Sequence, residues 1–260
     1  MNEINFYKYQ GTGNDFVMID GREDSLKLSV DEIKKICNRR FGIGSDGLII
    51  IRKSFSEDFE MDYYNADGTQ SFCGNGGRCA VKFVKEKLNL LKNEYRFTAI
   101  DGVHTATFDD KDWVNLRMKS VDKVDFANQS YVLNTGSPHY VKFVNNVKEF
   151  NVVEEAKKIR YNDTYKKDGI NVNFVSTIND TTIFVRTYER GVENETYSCG
   201  TGVTAAGLVS AHNDRGFNRI EVQTLGGKLA VEFDKKGDES FDNILLCGPA
   251  EYVFKGSINI

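Results

Sequence analysis

The amino-acid sequence contains the same arrangement of motifs twice. FCGNGGRCAVKFV (residues 72–84) and YSCGTGVTAAGLV (residues 197–209) each place a cysteine before a Gly-x-Gly turn and an apolar segment. The two cysteines, Cys73 and Cys199, are 126 positions apart. Thr-Gly turns at residues 12–13 and 135–136 are 123 positions apart, and each precedes a run of residues with the pattern of a β-strand. A repeat of this length, with its features in the same order, predicts two similar domains that face each other.

Most of the remaining chain has the pattern of short β-strands. Runs of this type recur between turn residues: DFVMID, GLIII, FEMDYY, YRFTAI, HTATF, WVNLRM, HYVKFV, INVNFV, TIFVRTY, RIEVQT, KLAVEF, ILLCG and EYVFKG. VQTLGGKLAV predicts a hairpin closed by Gly226-Gly227, and HTATFDDKDWVNLRM predicts another closed around residues 109–112. The sheet structure is therefore expected to contain antiparallel pairs.

Four segments carry helix signals. Ser29 and Glu32 form a capping box before IKKICNRR, and Asn151 with Glu154 predicts a cap before EEAKKIR. The other two helices are expected to begin at the cysteine turns. VTAAGLVSA, which follows the second turn, is nearly all small or apolar, as is typical of a fully buried helix.

Composition and charge exclude several classes of protein. A chain of 260 residues can form one large domain or two of ordinary size. Lys and Arg number 34 against 38 Asp and Glu, so the chain lacks the basic character of a nucleic-acid-binding protein. The start MNEINFYKYQ has no leader pattern, and no run approaches the roughly 18 apolar residues of a membrane span. We therefore expect a cytoplasmic protein that binds neither nucleic acid nor membrane, with its five cysteines as free thiols.

A cysteine at the start of a helix can act as an acid or a base near neutral pH. The positive end of the helix dipole favours the thiolate and can lower a thiol pKa from about 8.5 to roughly 3.5–7.5. The free N–H groups of the first turn bind carboxylates, and glycines allow a close approach. Two such thiols, one ionised and one protonated, can remove a proton from one face of a carbon and deliver a proton to the other. Stereoinversion by this route requires no cofactor, and the sequence contains no cofactor motif.

Structural explanations also exist for these cysteines. Cys73 and Cys199 can be small buried residues at turns, although the repeated Cys-Gly-x-Gly favours a functional pair. Cys37, Cys79 and Cys247 fall on apolar faces or in strands and are expected to be inert. A zinc site is disfavoured because the chain lacks CxxC spacing and its three histidines are isolated.

Other motifs leave alternatives open. GNGGR has the character of a phosphate-binding turn, but GKS or GKT does not follow it and it does not match GxGxxG. A non-catalytic module that binds a phosphorylated ligand is therefore a second hypothesis. His139 can be a hydrogen-bonded strand histidine, and Glu189-Arg190 can be a solvated surface pair.

Taken together, the motifs resemble the diaminopimelate epimerase family. GTGNDFVMID, RRFGIGSDGLI, NADGTQSFCGNGGRC, TGSPHYV, VNFV, YERGVENETYSCGTG and LGGKL occur in the family's order over essentially the whole chain. The resemblance implies an α/β (α+β) fold of two pseudo-symmetric domains, each a strand-rich barrel-like sheet around a central helix, with the active site between them. It implies interconversion of LL- and meso-diaminopimelate without pyridoxal phosphate, for lysine and peptidoglycan synthesis. The expected halves are residues 1–122 plus 249–260 and residues 123–248.

The resemblance also implies roles for individual residues. Cys73 and Cys199 are the expected acid/base thiols, with Cys199 as proton acceptor and Cys73 as donor in the LL-to-meso direction. The residues expected to bind the substrate are Asn14, Asn65, Gly74, Asn75, Asn171, Glu189, Arg190, Gly200 and Thr201. Ser137 and His139 are expected to support the site. No cofactor and no metal are expected, and the expected partner is a small-molecule substrate; the oligomeric state is open, with a homodimer among the options.

Two positions depart from the family pattern. The family often carries glutamine where this chain has Gly47 and asparagine where it has Ser137. Contacts to the distal end of the substrate are therefore expected to be rearranged. Because the same fold serves proline racemases, hydroxyproline epimerases and histidine racemases, one of these amino acids is the alternative substrate.

Overall fold

Each cysteine turn of the repeat leads into a helix that is surrounded by strands. The computed structural model describes residues 3–23 and 26–260, which divide into two units. Unit 1 contains the described residues up to Leu116 together with Pro249–Ile260, and unit 2 contains Arg117–Gly248.

Strands make up most of the regular structure. Numbered along the chain, they are β1 (Glu3–Gly11), β2 (Asn14–Asp20), β3 (Gly47–Arg52), β4 (Phe59–Asn65), β5 (Glu94–Ala99), β6 (Gly102–Phe108), β7 (Val114–Arg117), β8 (Val124–Ala127), β9 (Ser130–Asn134), β10 (Pro138–Phe143), β11 (Asn171–Asn179), β12 (Thr182–Glu189), β13 (Asn194–Thr196), β14 (Gly216–Thr224), β15 (Gly227–Lys235), β16 (Phe241–Gly248) and β17 (Glu251–Asn259). The helices are α1 (Val30–Cys37), α2 (Gly74–Lys87), α3 (Val152–Arg160) and α4 (Gly200–Val209), with a 3-10 turn at Val147–Glu149.

In unit 1 the central helix is α2. It packs against β1, β2, β3, β4 and β17, and its residues from Gly74 to Val84 are buried. β2 runs parallel to β3, β3 pairs antiparallel with β4, and β1 pairs antiparallel with both β2 and the C-terminal β17. A second core beneath α1 includes Ile33 and Ile36, which pack with apolar residues of β1, β2 and β3.

In unit 2 the central helix is α4. It packs against β9 to β12 and β14 to β16, and it contributes Val203 and Leu208 to the core. β10 runs parallel to β11, and β11 pairs antiparallel with β12, which is the arrangement of β2, β3 and β4 in unit 1. The sequence repeat is thus a repeat of topology.

The strand register identifies equivalent positions in the two units. The third residue after each Thr-Gly turn is Phe16 in unit 1, which pairs with Gly47, and His139 in unit 2, which pairs with Asn171. Two residues further on, Met18 pairs with Ile49 and Val141 pairs with Asn173. Ile49 and Asn173 therefore occupy equivalent positions on the strands beside the two central helices.

Most of the local predictions are confirmed. Ser29 and Glu32 form a complete capping box at α1. The hairpin of β14 and β15 exists, although Leu225 and Gly226 form its loop, one residue earlier than predicted. The hairpin of β6 and β7 closes around residues 109–113 as expected.

The cap at α3 differs in detail from the prediction. Asn151 is the N-cap, but its side chain does not accept a backbone N–H; its Nδ2 donates to Glu154 Oε2 over 2.7 Å. Four strands were not predicted, namely β1, β8, β9 and β13. In β1 the buried Lys8 interrupts the apolar alternation, and the other three strands have five residues or fewer.

The length and the polarity of a helix decide whether it could cross a membrane. Within residues 3–23 and 26–260, no helix is long and apolar enough to cross a membrane.

Candidate active site

Both repeated cysteines are the N-cap residues of the central helices. Cys73 precedes Gly74, the first residue of α2, and Cys199 precedes Gly200, the first residue of α4; both cysteines have extended backbone. Neither helix has an acidic residue in its first turn, and neither cysteine side chain caps a backbone N–H. The helix starts predicted at these motifs are confirmed. Both sulfurs lie where the helix dipole favours a thiolate and where backbone N–H groups can bind a carboxylate.

The Cys73 sulfur contacts Asn14, one of the predicted binding residues. Cys73 Sγ lies 3.4 Å from Asn14 Oδ1, which also accepts from Asn75 Nδ2 over 3.2 Å. The other end of the Asn14 amide donates from Nδ2 to Asp46 Oδ2 over 2.7 Å. Three of the predicted residues, Cys73, Asn14 and Asn75, are therefore joined directly.

Charged side chains hold the strand end that carries Asn14. Arg39 donates to Asp15 Oδ1 over 2.6 Å and to Asp46 Oδ1 over 2.7 Å, and the buried Lys8 donates to Asp15 and to the carbonyl oxygen of Gly44. Burial raises the pKa of Asp15, but the hydrogen bonds and charges of Arg39 and Lys8 outweigh it and lower that pKa to about 2. The Asp15 carboxylate is thus ionised at any pH at which the protein would function.

The Cys199 sulfur contacts Thr201, another predicted binding residue. Cys199 is 8% exposed, and its Sγ lies 3.5 Å from Thr201 Oγ1. Thr201 Oγ1 in turn lies 2.8 Å from His139 Nε2, and the Thr201 carbonyl oxygen accepts from Thr135 Oγ1 over 2.8 Å. The turn before β10 and the start of α4 are therefore held together by side chains.

His139 is fully buried and neutral. Burial, and secondly the positive charge of Arg190, lower the pKa of His139 to about 3, although a hydrogen bond from Asn173 acts in the opposite direction. The imidazole therefore cannot serve as a positive charge near neutral pH. It acts as a hydrogen-bonding group between β11 and the start of α4.

Asn173 is a site residue that the sequence reasoning missed. It is fully buried, and its side chain contacts His139, Thr187 and the backbone of Tyr140. A signal was present in INVNFV, where two asparagines alternate with apolar residues in a strand. A polar residue at every second position of a buried strand indicates a hydrogen-bonded face.

Asn171, Ser137 and Arg190 form a second group in unit 2. Asn171 Nδ2 donates to Ser137 Oγ over 2.9 Å and to the Pro138 carbonyl oxygen over 3.1 Å, and Asn171 Oδ1 accepts from the backbone N–H of Arg190 over 2.9 Å. The Arg190 guanidinium donates to the Asp168 carbonyl oxygen over 2.9 Å. Glu189 accepts from the hydroxyl of Thr196. The Asn171 amide thus fixes the chain at Glu189-Arg190.

Asn65 lies at the end of β4, with its amide held at both ends. Its Nδ2 donates to Thr69 Oγ1 over 3.0 Å and to Ser71 Oγ over 3.2 Å, and its Oδ1 accepts from the Tyr63 hydroxyl over 3.0 Å. Tyr63 explains the absence of a side chain at Gly47. A Cβ atom on Gly47 would collide with the Tyr63 ring and would lie 2.7 Å from the carbonyl oxygen of Tyr64.

Two of the remaining cysteines have the character expected of inert thiols. Cys37 and Cys79 are buried, and burial raises the pKa of both. Cys247 is fully buried as well. Among the residues that the structure describes, no group of three or more His, Cys, Asp and Glu side chains could hold a metal ion.

Comparison with solved structures identifies the fold. A phenazine biosynthesis protein of the PhzF family from Bacillus anthracis matches with a TM-score of 0.76 at 16% identity, over 100% of both chains. A probable proline racemase from Agrobacterium radiobacter matches with a TM-score of 0.70 at 14% identity, over 99% of this chain and 93% of the other. The protein is therefore of the two-domain α+β class with the diaminopimelate epimerase-like fold, as predicted.

Sequence comparison then identifies the family. The protein-family model described as diaminopimelate epimerase matches residues 6–124 and 131–253 of this chain. A protein from Flavobacterium psychrophilum with the name diaminopimelate epimerase is 50% identical over 98% of this chain and 100% of its own length. The chain belongs to the diaminopimelate epimerase family, and the protein is an isomerase.

Proposed function

We propose that this protein interconverts LL- and meso-2,6-diaminopimelate without a cofactor, with Cys73 and Cys199 as its two acid/base groups. This reaction provides meso-diaminopimelate for the synthesis of lysine and of peptidoglycan precursors, and we propose that the protein is cytoplasmic. Family membership supports the substrate. The observation that carries the mechanism is the position of both cysteines as N-caps of helices that begin with glycine.

The two sulfurs exchange roles in each turnover. A thiolate removes the proton from the α-carbon of one amino-acid end of the substrate and becomes a thiol. The second thiol delivers its proton to the opposite face of the same carbon and becomes a thiolate. The configuration at that carbon is inverted, and one proton has been taken up and one released.

The helix starts are also proposed to stabilise the negative charge that develops on the substrate during the reaction. Removal of an α-proton places charge next to the carboxylate, and this carbanion is the least stable species in the reaction. Backbone N–H groups at Gly74-Asn75 and Gly200-Thr201 are proposed to donate to that carboxylate, because the N–H groups of a first helical turn point out of the helix end and bind anions. Donors that are already oriented stabilise the developing charge without reorganisation.

The distal end of the substrate also carries an ammonium and a carboxylate. Arg190 is proposed to bind that carboxylate and Glu189 that ammonium, with Asn14, Asn65 and Asn171 as further binding or orienting groups. Charge-assisted hydrogen bonds of this kind fix orientation as well as adding affinity. Ser137 and His139 support these residues through their hydrogen bonds to Asn171 and Thr201.

The substrate assignment is tested by incubating the purified protein with LL-diaminopimelate, without added cofactor, and separating the stereoisomers by chiral chromatography. We expect meso-diaminopimelate to accumulate until both isomers coexist. Proline, trans-4-hydroxyproline and histidine are tested in parallel as the alternative substrates. Inversion of one of these, with none of diaminopimelate, would contradict the proposed substrate. A phosphorylated-ligand binding module would invert none of them.

A further inference from the structure

The two repeats differ in what lies behind the first turn of the central helix. In unit 1, a Cβ atom on Gly76 would lie 3.1 Å from Ile49 Cδ1 and 3.3 Å from Met61 Cε. In unit 2, a Cβ atom on the equivalent Gly202 would collide with Asn173 Oδ1. Since Ile49 and Asn173 also occupy equivalent strand positions, an apolar contact in unit 1 is replaced by a polar one in unit 2.

The hydrogen bonds of Asn173 allow one orientation of its amide. Nδ2 donates to the carbonyl oxygen of Tyr140 over 3.1 Å, and a carbonyl oxygen can only accept. The same Nδ2 lies 3.1 Å from His139 Nδ1, while Oδ1 accepts from Thr187 Oγ1 over 2.9 Å. His139 Nδ1 is therefore the acceptor nitrogen, and the neutral ring carries its proton on Nε2.

This tautomer determines the direction of the hydrogen bond between His139 and Thr201. His139 Nε2 donates to Thr201 Oγ1 over 2.8 Å. The single proton of the Thr201 hydroxyl is then available for its other neighbour, the Cys199 sulfur at 3.5 Å. A hydroxyl that donates to sulfur stabilises the thiolate relative to the thiol.

Cys73 faces a group of the opposite kind. Asn14 Nδ2 is directed at the Asp46 carboxylate, which can only accept, so Asn14 Oδ1 faces the Cys73 sulfur at 3.4 Å. An amide oxygen can only accept, so this contact requires a proton on sulfur. The contact stabilises the thiol form of Cys73 relative to the thiolate.

The two units also differ in the charged side chains that they carry. In unit 2, α4 has no charged side chain, and the positive charge of Arg190, at the end of β12, acts on His139. In unit 1, the carboxylates of Asp15 and Asp46 are balanced by Arg39 and Lys8, and α2 contributes the guanidinium of Arg78 and the thiol of Cys79. The neighbours of the two sulfurs therefore differ: the Thr201 hydroxyl can donate to Cys199, whereas the Asn14 amide oxygen can only accept from Cys73.

We infer that Cys199 is the thiolate and Cys73 the thiol in the enzyme without substrate, and that Asn173 is the positioning residue that establishes this difference through His139 and Thr201. Its catalytic meaning rests on the proposed two-thiol reaction. The protonation states themselves are measurable without any substrate.

The test is the pH dependence of alkylation by iodoacetamide, measured for each cysteine by peptide mass spectrometry on the full-length protein. The pH midpoint of the rate reports thiolate formation at that cysteine, whatever its accessibility. Between about pH 5.5 and 9.5 we expect the midpoint of Cys199 to lie at least about one unit below that of Cys73. A midpoint for Cys73 equal to or below that of Cys199 would overturn the inference.

Variants test the relay itself. Thr201→Val removes the hydroxyl and keeps the shape, and it should raise the midpoint of Cys199 by about one unit while that of Cys73 stays unchanged. Thr201→Ser keeps the hydroxyl and should retain the wild-type midpoint. Asn173→Leu should act like Thr201→Val; if it does not fold, the Thr201 pair decides. An unshifted midpoint of Cys199 in Thr201→Val would contradict the relay. If the midpoints are as expected but the protein does not turn over diaminopimelate, the proposed function is wrong and the inference about the two thiols stands.

Discussion

Tyr63 occupies the space that a side chain at Gly47 would need, and its hydroxyl donates to Asn65 Oδ1 over 3.0 Å. The departure from the family at position 47 is therefore accompanied by a specific neighbour. Asn65, one of the proposed binding residues, takes its orientation from that neighbour as well as from Thr69 and Ser71. Gly47 and Tyr63 form one packing unit beside the proposed distal subsite.

Gly47→Ala should destabilise the protein. The new methyl group would meet the Tyr64 carbonyl oxygen at 2.7 Å, and backbone cannot move aside as a flexible side chain can. Overpacking of this kind costs about 1–3 kcal/mol of unfolding free energy, measured by urea denaturation. Gly237→Ala is the matched control, because its Cβ would meet only the end of the Arg215 side chain at 3.2 Å and Ser240 Cβ at 4.0 Å. Equal stability of the two variants would contradict the packing argument.

Tyr63→Phe should weaken substrate binding more than catalysis. It removes the donor to Asn65 and retains the ring that fills the space beside Gly47. We expect KM for diaminopimelate to rise severalfold, with kcat within about twofold of wild type, since the distal contact is made in both ground and transition states. Tyr95→Phe also removes a buried hydroxyl, which donates to the Leu90 carbonyl oxygen over 2.8 Å, and it should leave KM unchanged. If both variants raised KM alike, Tyr63 would have no special relation to the site.

The sequence was sufficient to predict the repeat, the four helices and the helix starts at Cys73 and Cys199. These depend on local signals, namely capping residues, glycines and apolar spacing, which can be read without tertiary information. The fold class followed from the family resemblance, and the comparisons confirm it.

Tertiary contacts account for what was missed. Strand β1 contains the buried Lys8, which is hydrogen-bonded to Asp15 and to the Gly44 carbonyl oxygen. Because a lysine stands at one of its buried positions, β1 lacks the regular alternation of apolar and polar residues that would have predicted a strand. Asn173 and Tyr63 act through other side chains, and nothing in their own sequence neighbourhood reveals which partner they contact. The absence of a side chain at Gly47 could be explained only once Tyr63 was seen beside it.

Replacing either proposed catalytic cysteine should abolish inversion. Cys73→Ala and Cys199→Ala each remove one of the two proton carriers, and kcat for diaminopimelate should fall below detection. The corresponding serine variants should retain at most a trace of activity, because a hydroxyl is a much weaker acid than a thiol. Cys37→Ala, at a buried thiol whose pKa is raised, is the control and should keep its activity. Wild-type turnover in either Cys73→Ala or Cys199→Ala would exclude the mechanism.

Arg190→Ala should raise KM for diaminopimelate at least about tenfold, because a charge-assisted hydrogen bond to a carboxylate contributes roughly 1.5–3 kcal/mol. Arg190→Lys should recover only part of this, since an ammonium lacks the planar fork. Arg219→Ala, which removes an arginine that pairs with Glu221 and Glu232, serves as the control and should leave KM near the wild-type value. An unchanged KM in Arg190→Ala would show that another group binds the distal carboxylate.

Asp15 should make stability depend on pH in the acid range. The pKa of Asp15 in the folded protein, about 2, lies below the usual pKa of an aspartate, 3.8, so its contribution to stability is fully present above about pH 4 and is lost as the pH falls towards 2. Asp15→Asn should therefore lower the unfolding free energy at pH 7 by about 2 kcal/mol and flatten its decline between about pH 4 and 2. Asp20→Asn, at a more exposed pair with Arg22, should have a much smaller effect. If the unfolding free energy of Asp15→Asn fell as steeply between about pH 4 and 2 as that of the wild type, Asp15 would not be the source of the acid sensitivity.

The two-thiol reaction is tested most directly by the position of deuterium early in the conversion of LL-diaminopimelate in deuterium oxide. A thiol that has exchanged with solvent delivers deuterium to the new face, while the proton removed from the substrate stays on the other sulfur. We therefore expect proton NMR and mass spectrometry to show deuterium at the inverted α-carbon of the meso product and almost none in the remaining LL isomer. Deuterium that enters the LL isomer as fast as the meso isomer forms would mean that a single group serves both faces, and it would contradict the roles of Cys73 and Cys199.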